Sequence, residues 1–133
     1  MHRSNNQAEG RSAEKRPAPR ALPQTLFENV MNYIASFFAG VFICNCIPHL
    51  VCGLKGELFP TPFAKPRGVG NSSSLMNFLW GFCNAVVGVV LLASTPVQVG
   101  FDASFLSLLV GALLMGVNLS LHFGKVRSQS HVR

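Results

Sequence analysis

The chain has 133 residues, a net charge of +6 and only 12% charged residues. That length gives room for one domain, and the charged share is about half that of a soluble domain. A soluble bundle, which must show charge on its outer faces, is excluded, because the long apolar stretches carry none.

Residues 1–29 are polar and have no apolar period. Five positive residues (Arg3, Arg11, Lys15, Arg16, Arg20) stand there against Glu9 and Glu14 in the first 25 positions. Such a segment cannot bury enough apolar surface to offset chain entropy, so a disordered basic tail is expected. It is too long for a signal-peptide n-region, and no Ala-x-Ala cleavage site follows the apolar run. A lipoprotein reading at Cys44 fails because Phe42 and Ile43 stand where small residues belong. The basic tail has neither aromatic interleaving nor a folded platform, so no nucleic-acid partner is expected. Basic flanks beside apolar segments fit contact with anionic membrane lipids instead.

Three stretches lack any Asp, Glu, Lys or Arg: Val30–Leu54, Gly68–Phe101 and Ala103–Gly124. A membrane-spanning helix needs about 20 predominantly apolar residues, and all three reach that length. The predicted fold class is an all-α membrane protein, with three apolar helices in a domain over residues 30–124 and a basic tail over 125–133. Ser94–Asp102 is a short connection punctuated by Pro96 and Gly100, so the second and third helices should form an antiparallel hairpin.

The first apolar segment contains Asn45, His49 and Pro48. Proline removes a backbone donor and clashes with the preceding turn, so Pro48 should interrupt regular helix. The segment then either spans or re-enters on the same side. Cys44, Cys46, Cys52 and Cys83 all lie in or at the end of apolar stretches, and read as buried free thiols rather than a disulfide framework. Cys46-x-x-His49-x-x-Cys52 has the wrong spacing for a zinc site, and helical residues three apart drift by about 60°. No metal, heme or other cofactor is expected.

Between the first two helices runs Phe59-Pro-Thr-Pro-Phe63, followed by Lys65, Pro66, Arg67, Gly68 and Gly70. The prolines favour extended backbone, and Phe59 and Phe63 should dock on the membrane face or the bundle. Asn71 and Ser72–Ser74 then supply an N-cap for the second helix. Lys65, Arg67, Gly68, Gly70, Ser72 and Ser73 together have the parts of an anion or lipid-headgroup site: cations, free N–H groups and a helix N-terminus. Capping with unspecific headgroup contact would use the same residues.

Polar side chains in hydrocarbon cost free energy, so Asn45, His49, Asn77, Trp80 and Asn84 form a candidate polar site. Asn77, Gly81, Asn84 and Gly88 recur on one face of the second helix. Ser107, Gly111, Asn118 and His122 form a stripe on the third, with Ala112, Gly116 and Ser120 as a second ridge. The stripes either face each other or both face the first helix. Helix packing explains them, as small residues permit close approach and Asn bonds across. A water-filled pathway lined by Asn45, His49, Asn77 and Asn84 is the alternative, and would make this an oligomeric transporter or channel subunit. Against it, no acid or base lies at depth. For catalysis, His49 would need Glu57 as its orienting acid, and no nucleophile accompanies it, so no enzymatic activity is expected.

Orientation is in conflict. Six positive residues flank the first loop and the C-terminus, which argues for the cytoplasmic side, while Ser94–Asp102 has none. The basic N-terminal tail then falls on the wrong side. It is outvoted, or the first segment re-enters, or translation begins at Met31 and residues 1–30 are absent from the working protein.

The run His49-x-x-x-Gly53-x-x-Gly56, Phe59-Pro-Thr-Pro-Phe63, Pro66-x-Gly68-x-Gly70-x-Ser-Ser and Asn77-x-x-Trp80-Gly81-x-x-Asn84 resembles a family of small uncharacterised bacterial multi-pass membrane proteins. The likeness covers roughly residues 31–90. It implies the helical fold and an inner-membrane location, and no chemistry. The expected role is structural or accessory: binding lipid, a second copy or a membrane-protein partner through the small-residue helix faces.

Overall fold

The computed structural model describes residues 22–130, with side chains from 25 to 129. Helix α1 (Leu22–Leu54) leads into a loop closed by a two-residue antiparallel bridge between β1 (Phe59–Pro60) and β2 (Asn71–Ser72). Helices α2 (Ser74–Ala93) and α3 (Ala103–Ser130) follow. All three are long and apolar enough to cross a membrane. The protein is an all-α membrane protein.

Two boundaries move outward. Helix α1 starts at Leu22 rather than at Val30, and α3 continues through the expected basic tail to Ser130. The segment Leu22–Asn29 lacks an apolar stripe of its own but extends a helix already nucleated, which costs little per added residue. Of the expected disordered tail, residues 1–21 lie outside the described residues.

Pro48 does not interrupt α1. The helix runs unbroken for 33 residues, about 50 Å, so the first apolar segment is one continuous helix long enough to span and is not broken as a re-entrant element would be. Proline removes one N–H, the one that would reach the carbonyl of Cys44. Membrane helices tolerate that loss because neighbouring groups and small local adjustments compensate. A Schellman motif ends the helix: Glu57 N donates to Cys52 O at 2.9 Å and Gly56 N to Gly53 O at 3.2 Å. That turn needs φ of +74° at Gly56, which glycine adopts without penalty.

Helix α1 is the central element, with α2 and α3 packed along different residues of it. On one face, Gly81 of α2 approaches Leu50 and Cys46, and Gly88 approaches Ile43 and Ala39, so α2 runs antiparallel to α1. On the other, Ser107 Oγ donates to Tyr33 O at 2.8 Å, and Gly111 lies against the backbone of Phe37. Helix α3 is therefore parallel to α1 and antiparallel to α2. The second and third helices do run antiparallel, joined by a short connection, but they lean on α1 and scarcely touch each other. The α2 stripe faces the first helix, as do Ser107 and Gly111 of the α3 stripe, whereas Asn118 is exposed and His122 turns to the loop.

The ends are capped as the residue types require. Ser73 Oγ accepts from Met76 N at 3.3 Å to cap α2. Asp102 Oδ2 accepts from Ser104 N and Phe105 N at 3.1 and 3.3 Å to cap α3, where its charge also suits the helix dipole.

Candidate functional site

The buried face of α2 consists of Asn77, Gly81, Asn84 and Gly88. Glycine lets the α1 backbone come close, and at that distance the short asparagine amides can reach across. Asn45 Nδ2 donates to Asn84 Oδ1 at 2.9 Å, and Asn84 Nδ2 donates to Trp80 O at 2.7 Å. This is the deeper of two polar rungs between α1 and α2.

The upper rung is denser. Asn77 has no exposed surface, and its Nδ2 is directed at three carbonyls: Phe59 O at 2.9 Å, Ser73 O at 3.1 Å and Ser72 O at 3.2 Å. Three acceptors around one amide nitrogen fix the orientation of the amide. Its Oδ1 is thus the acceptor in the 2.9 Å contact with His49, and His49 Nδ1 is the donor. In the neutral ring, Nε2 keeps its lone pair. One asparagine side chain ties α1, the β1–β2 bridge and the start of α2 together.

Aromatic rings enclose His49, which is 3% exposed. The Phe59 ring meets its edge at 5.4 Å between centroids, and Trp80 stands at 6.5 Å. Phe59 also stacks at a tilt on Phe123 of α3 at 4.4 Å, while Phe63, largely exposed, sets its edge against Trp80 at 5.1 Å. Thr61 organises the loop from inside. Its Oγ1 shares a 2.5 Å hydrogen bond with Ser72 Oγ, and its carbonyl accepts from Ala64 N and Gly68 N at 3.2 and 3.3 Å. His122 Nε2 donates to Gly68 O at 2.8 Å and pins the far side of the loop to α3. Residues 55–73 are a folded cap over His49 and Asn77.

The candidate polar residues Asn45, His49, Asn77, Trp80 and Asn84 are thus brought together as two rungs and their aromatic wall. The candidate anion residues are differently employed. Gly68 N and Gly70 N donate within the loop, Gly70 to Pro66 O at 2.7 Å, so neither amide is offered outward. Ser72 is bonded to Thr61, Ser73 caps α2, and Lys65 and Arg67 project from an exposed surface. Glu57 does not orient His49. It pairs with Lys55, and that hydrogen bond and opposite charge raise the ammonium above its ordinary value. A raised lysine holds its contribution through neutral pH and loses it as pH climbs past its folded value; both partners are exposed, so the pair matters little.

Among the described residues, no group of three His, Cys, Asp or Glu side chains converges to hold a metal ion. Two buried polar atoms there have no hydrogen-bond partner: Trp80 Nε1 and Ser36 Oγ. Thr61, Phe123 and the Phe59 carbonyl were not singled out by the sequence. A threonine between two prolines in a loop beside apolar helices was the available signal for the first. No family model, no curated protein and no solved structure matches the chain.

Proposed function

We propose that this protein is a structural or accessory component of a membrane, without catalytic activity, that holds a rigid basic platform at one end and self-associates through α3. The bacterial inner membrane is the setting that the resemblance of its loop and α2 motif implies. The observation that carries the reading is the pairing of polar groups at depth: Asn45 with Asn84, and His49 with Asn77. Groups lining a water-filled path would be left for water to solvate. Here they are joined to each other and to backbone carbonyls, as a scaffold requires.

The α2 small-residue face and Ser107 and Gly111 of α3 are spent on α1, so a partner must use what is left exposed. Helix α3 buries the least of the three spans. On its outer side Leu114, Val117 and Leu121 are about half exposed or more, and the exposed Asn118 makes no hydrogen bond among the described residues. An amide has both donors and an acceptor, so two copies related by a two-fold axis along the membrane normal satisfy each other's Asn118. Interhelical bonds of this kind contribute about 0.6–2 kcal/mol. The Asn118→Leu variant should therefore weaken dimerisation by about 3- to 30-fold in detergent titrations. An unchanged dimer fraction would remove the partner surface.

Accessibility tests the scaffold itself. With the native cysteines replaced by alanine, Asn77→Cys and Asn84→Cys should resist water-soluble thiol reagents in intact membranes. Rapid labelling at both would instead mark a conduit. Loss of function in His49→Ala at normal abundance would point to chemistry at this site.

A further inference from the structure

A cleft of about 1080 Å³ opens between the loop and the last turns of α3, sharing only Phe59 with the polar rungs and their aromatic wall. Phe59, Val69, Phe123 and Val126 form its apolar floor, with Asn71 and Arg127 at the polar rim. We propose that this cleft binds the headgroup and glycerol region of an anionic phospholipid, with the phosphate at Arg127.

Four observations support that occupant. First, the height is right: Phe123 lies at the end of the uncharged run of α3, which Gly124 closes, and Lys125 is its first charge, so the cleft straddles the boundary between hydrocarbon and headgroups. Second, the charge is complementary. All five Lys and Arg among the described residues (Lys55, Lys65, Arg67, Lys125, Arg127) lie at this end, against Glu57 alone. Third, the walls are preformed, because the 2.8 Å bond from His122 to Gly68 O and the Phe59–Phe123 stack tie loop to helix. A site that needs no ordering on binding loses less entropy to its ligand. Fourth, the volume is slightly above the roughly 300–1,000 Å³ usual for small-molecule sites, ample for a headgroup with the start of its acyl chains. An inorganic anion has no use for the apolar floor, and a zwitterionic lipid little for the basic rim.

Native mass spectrometry of the full chain in mild detergent, offered equal phosphatidylglycerol and phosphatidylcholine, tests the assignment. The protein should retain phosphatidylglycerol preferentially. Arg127→Gln should lower that retention about tenfold or more, as loss of a direct hydrogen bond between charged groups does. Val69→Trp, which fills the cleft at constant charge, should lower it as much. Lys65→Gln removes the same charge outside the lining and should change retention less than about twofold. Thermal unfolding within a few degrees of the parent establishes that each variant is folded, and a folded result from either cleft variant suffices for the test. Equal losses in Arg127→Gln and Lys65→Gln would reduce the effect to surface charge and overturn the site. So would full retention in folded Val69→Trp, equal retention of both lipids, or displacement of the lipid by millimolar inorganic phosphate.

Discussion

Asn77 is the side chain on which the loop and two helices converge. Replacing it by alanine leaves the His49 donor and the Phe59 carbonyl without their partner in a buried setting. Leaving buried groups unpaired costs about 1–3 kcal/mol, so Asn77→Ala should unfold at markedly lower denaturant than the parent. His49→Ala removes only one bond of the rung and should cost less. A double-mutant cycle between the two should return a coupling of about 0.6–1.7 kcal/mol, the range found for interhelical bonds in membranes. Zero coupling would mean that the contact contributes nothing. Both residues were legible in the sequence, because an amide and an imidazole in an apolar run have to find partners. Which partners they take was not. Asn77 bonds to backbone carbonyls of Phe59, Ser72 and Ser73, and a carbonyl's direction depends on how the intervening loop folds.

For the helices, the sequence was most informative about faces and least about ends. The stripe Asn77–Gly81–Asn84–Gly88 is the buried face of α2, since period and residue size together leave one solution. Pro48 misled because its cost is set in water, whereas in α1 the helix has no competing solvent to end it. The glycines of the α1–α3 contact give a graded test. A Cβ at Gly40 would overlap the Leu108 carbonyl oxygen, and one at Gly111 the Phe37 carbonyl oxygen, both rigid backbone. One at Gly116 would meet only Cys44 Sγ at 3.5 Å, and one at Gly124 would meet nothing within 4 Å. Gly40→Ala and Gly111→Ala should each destabilise by about 1–3 kcal/mol, as overpacking does. Gly116→Ala and Gly124→Ala should be neutral or gain up to about 1 kcal/mol from helix propensity. Chemical or thermal unfolding of the four variants in one detergent would rank them, and any other order would contradict the close α1–α3 approach.

Across the whole molecule, the parallel course of α1 and α3 sorts the charge. The loop after α1 and the end of α3 come to the same end, and bring all five described Lys and Arg with them. The opposite end, where α1 and α3 begin, holds Glu28 and Asp102 and no described cation. Positive residues close to spanning helices are retained on the cytoplasmic side, so the loop cap should face the cytoplasm and residues 94–102 the other side. Every described Lys and Arg supports that orientation, and three spans place the start of α1 opposite the cap. In a chain whose native cysteines are replaced by alanine, Gln98→Cys should react with a membrane-impermeant maleimide added to intact cells. Lys65→Gln combined with Arg67→Cys should react only after the membrane is opened. The reverse pattern would show that charges outside residues 22–130 dominate insertion, and would move the basic cleft to the outer surface. Reaction of both positions in intact cells would mean mixed orientations. Moving charge gives the converse: Gln98→Lys together with Val99→Lys places cations on the translocated connection, and should lower the fraction inserted in the parental orientation without touching a packed residue, since both side chains stand outside the helices.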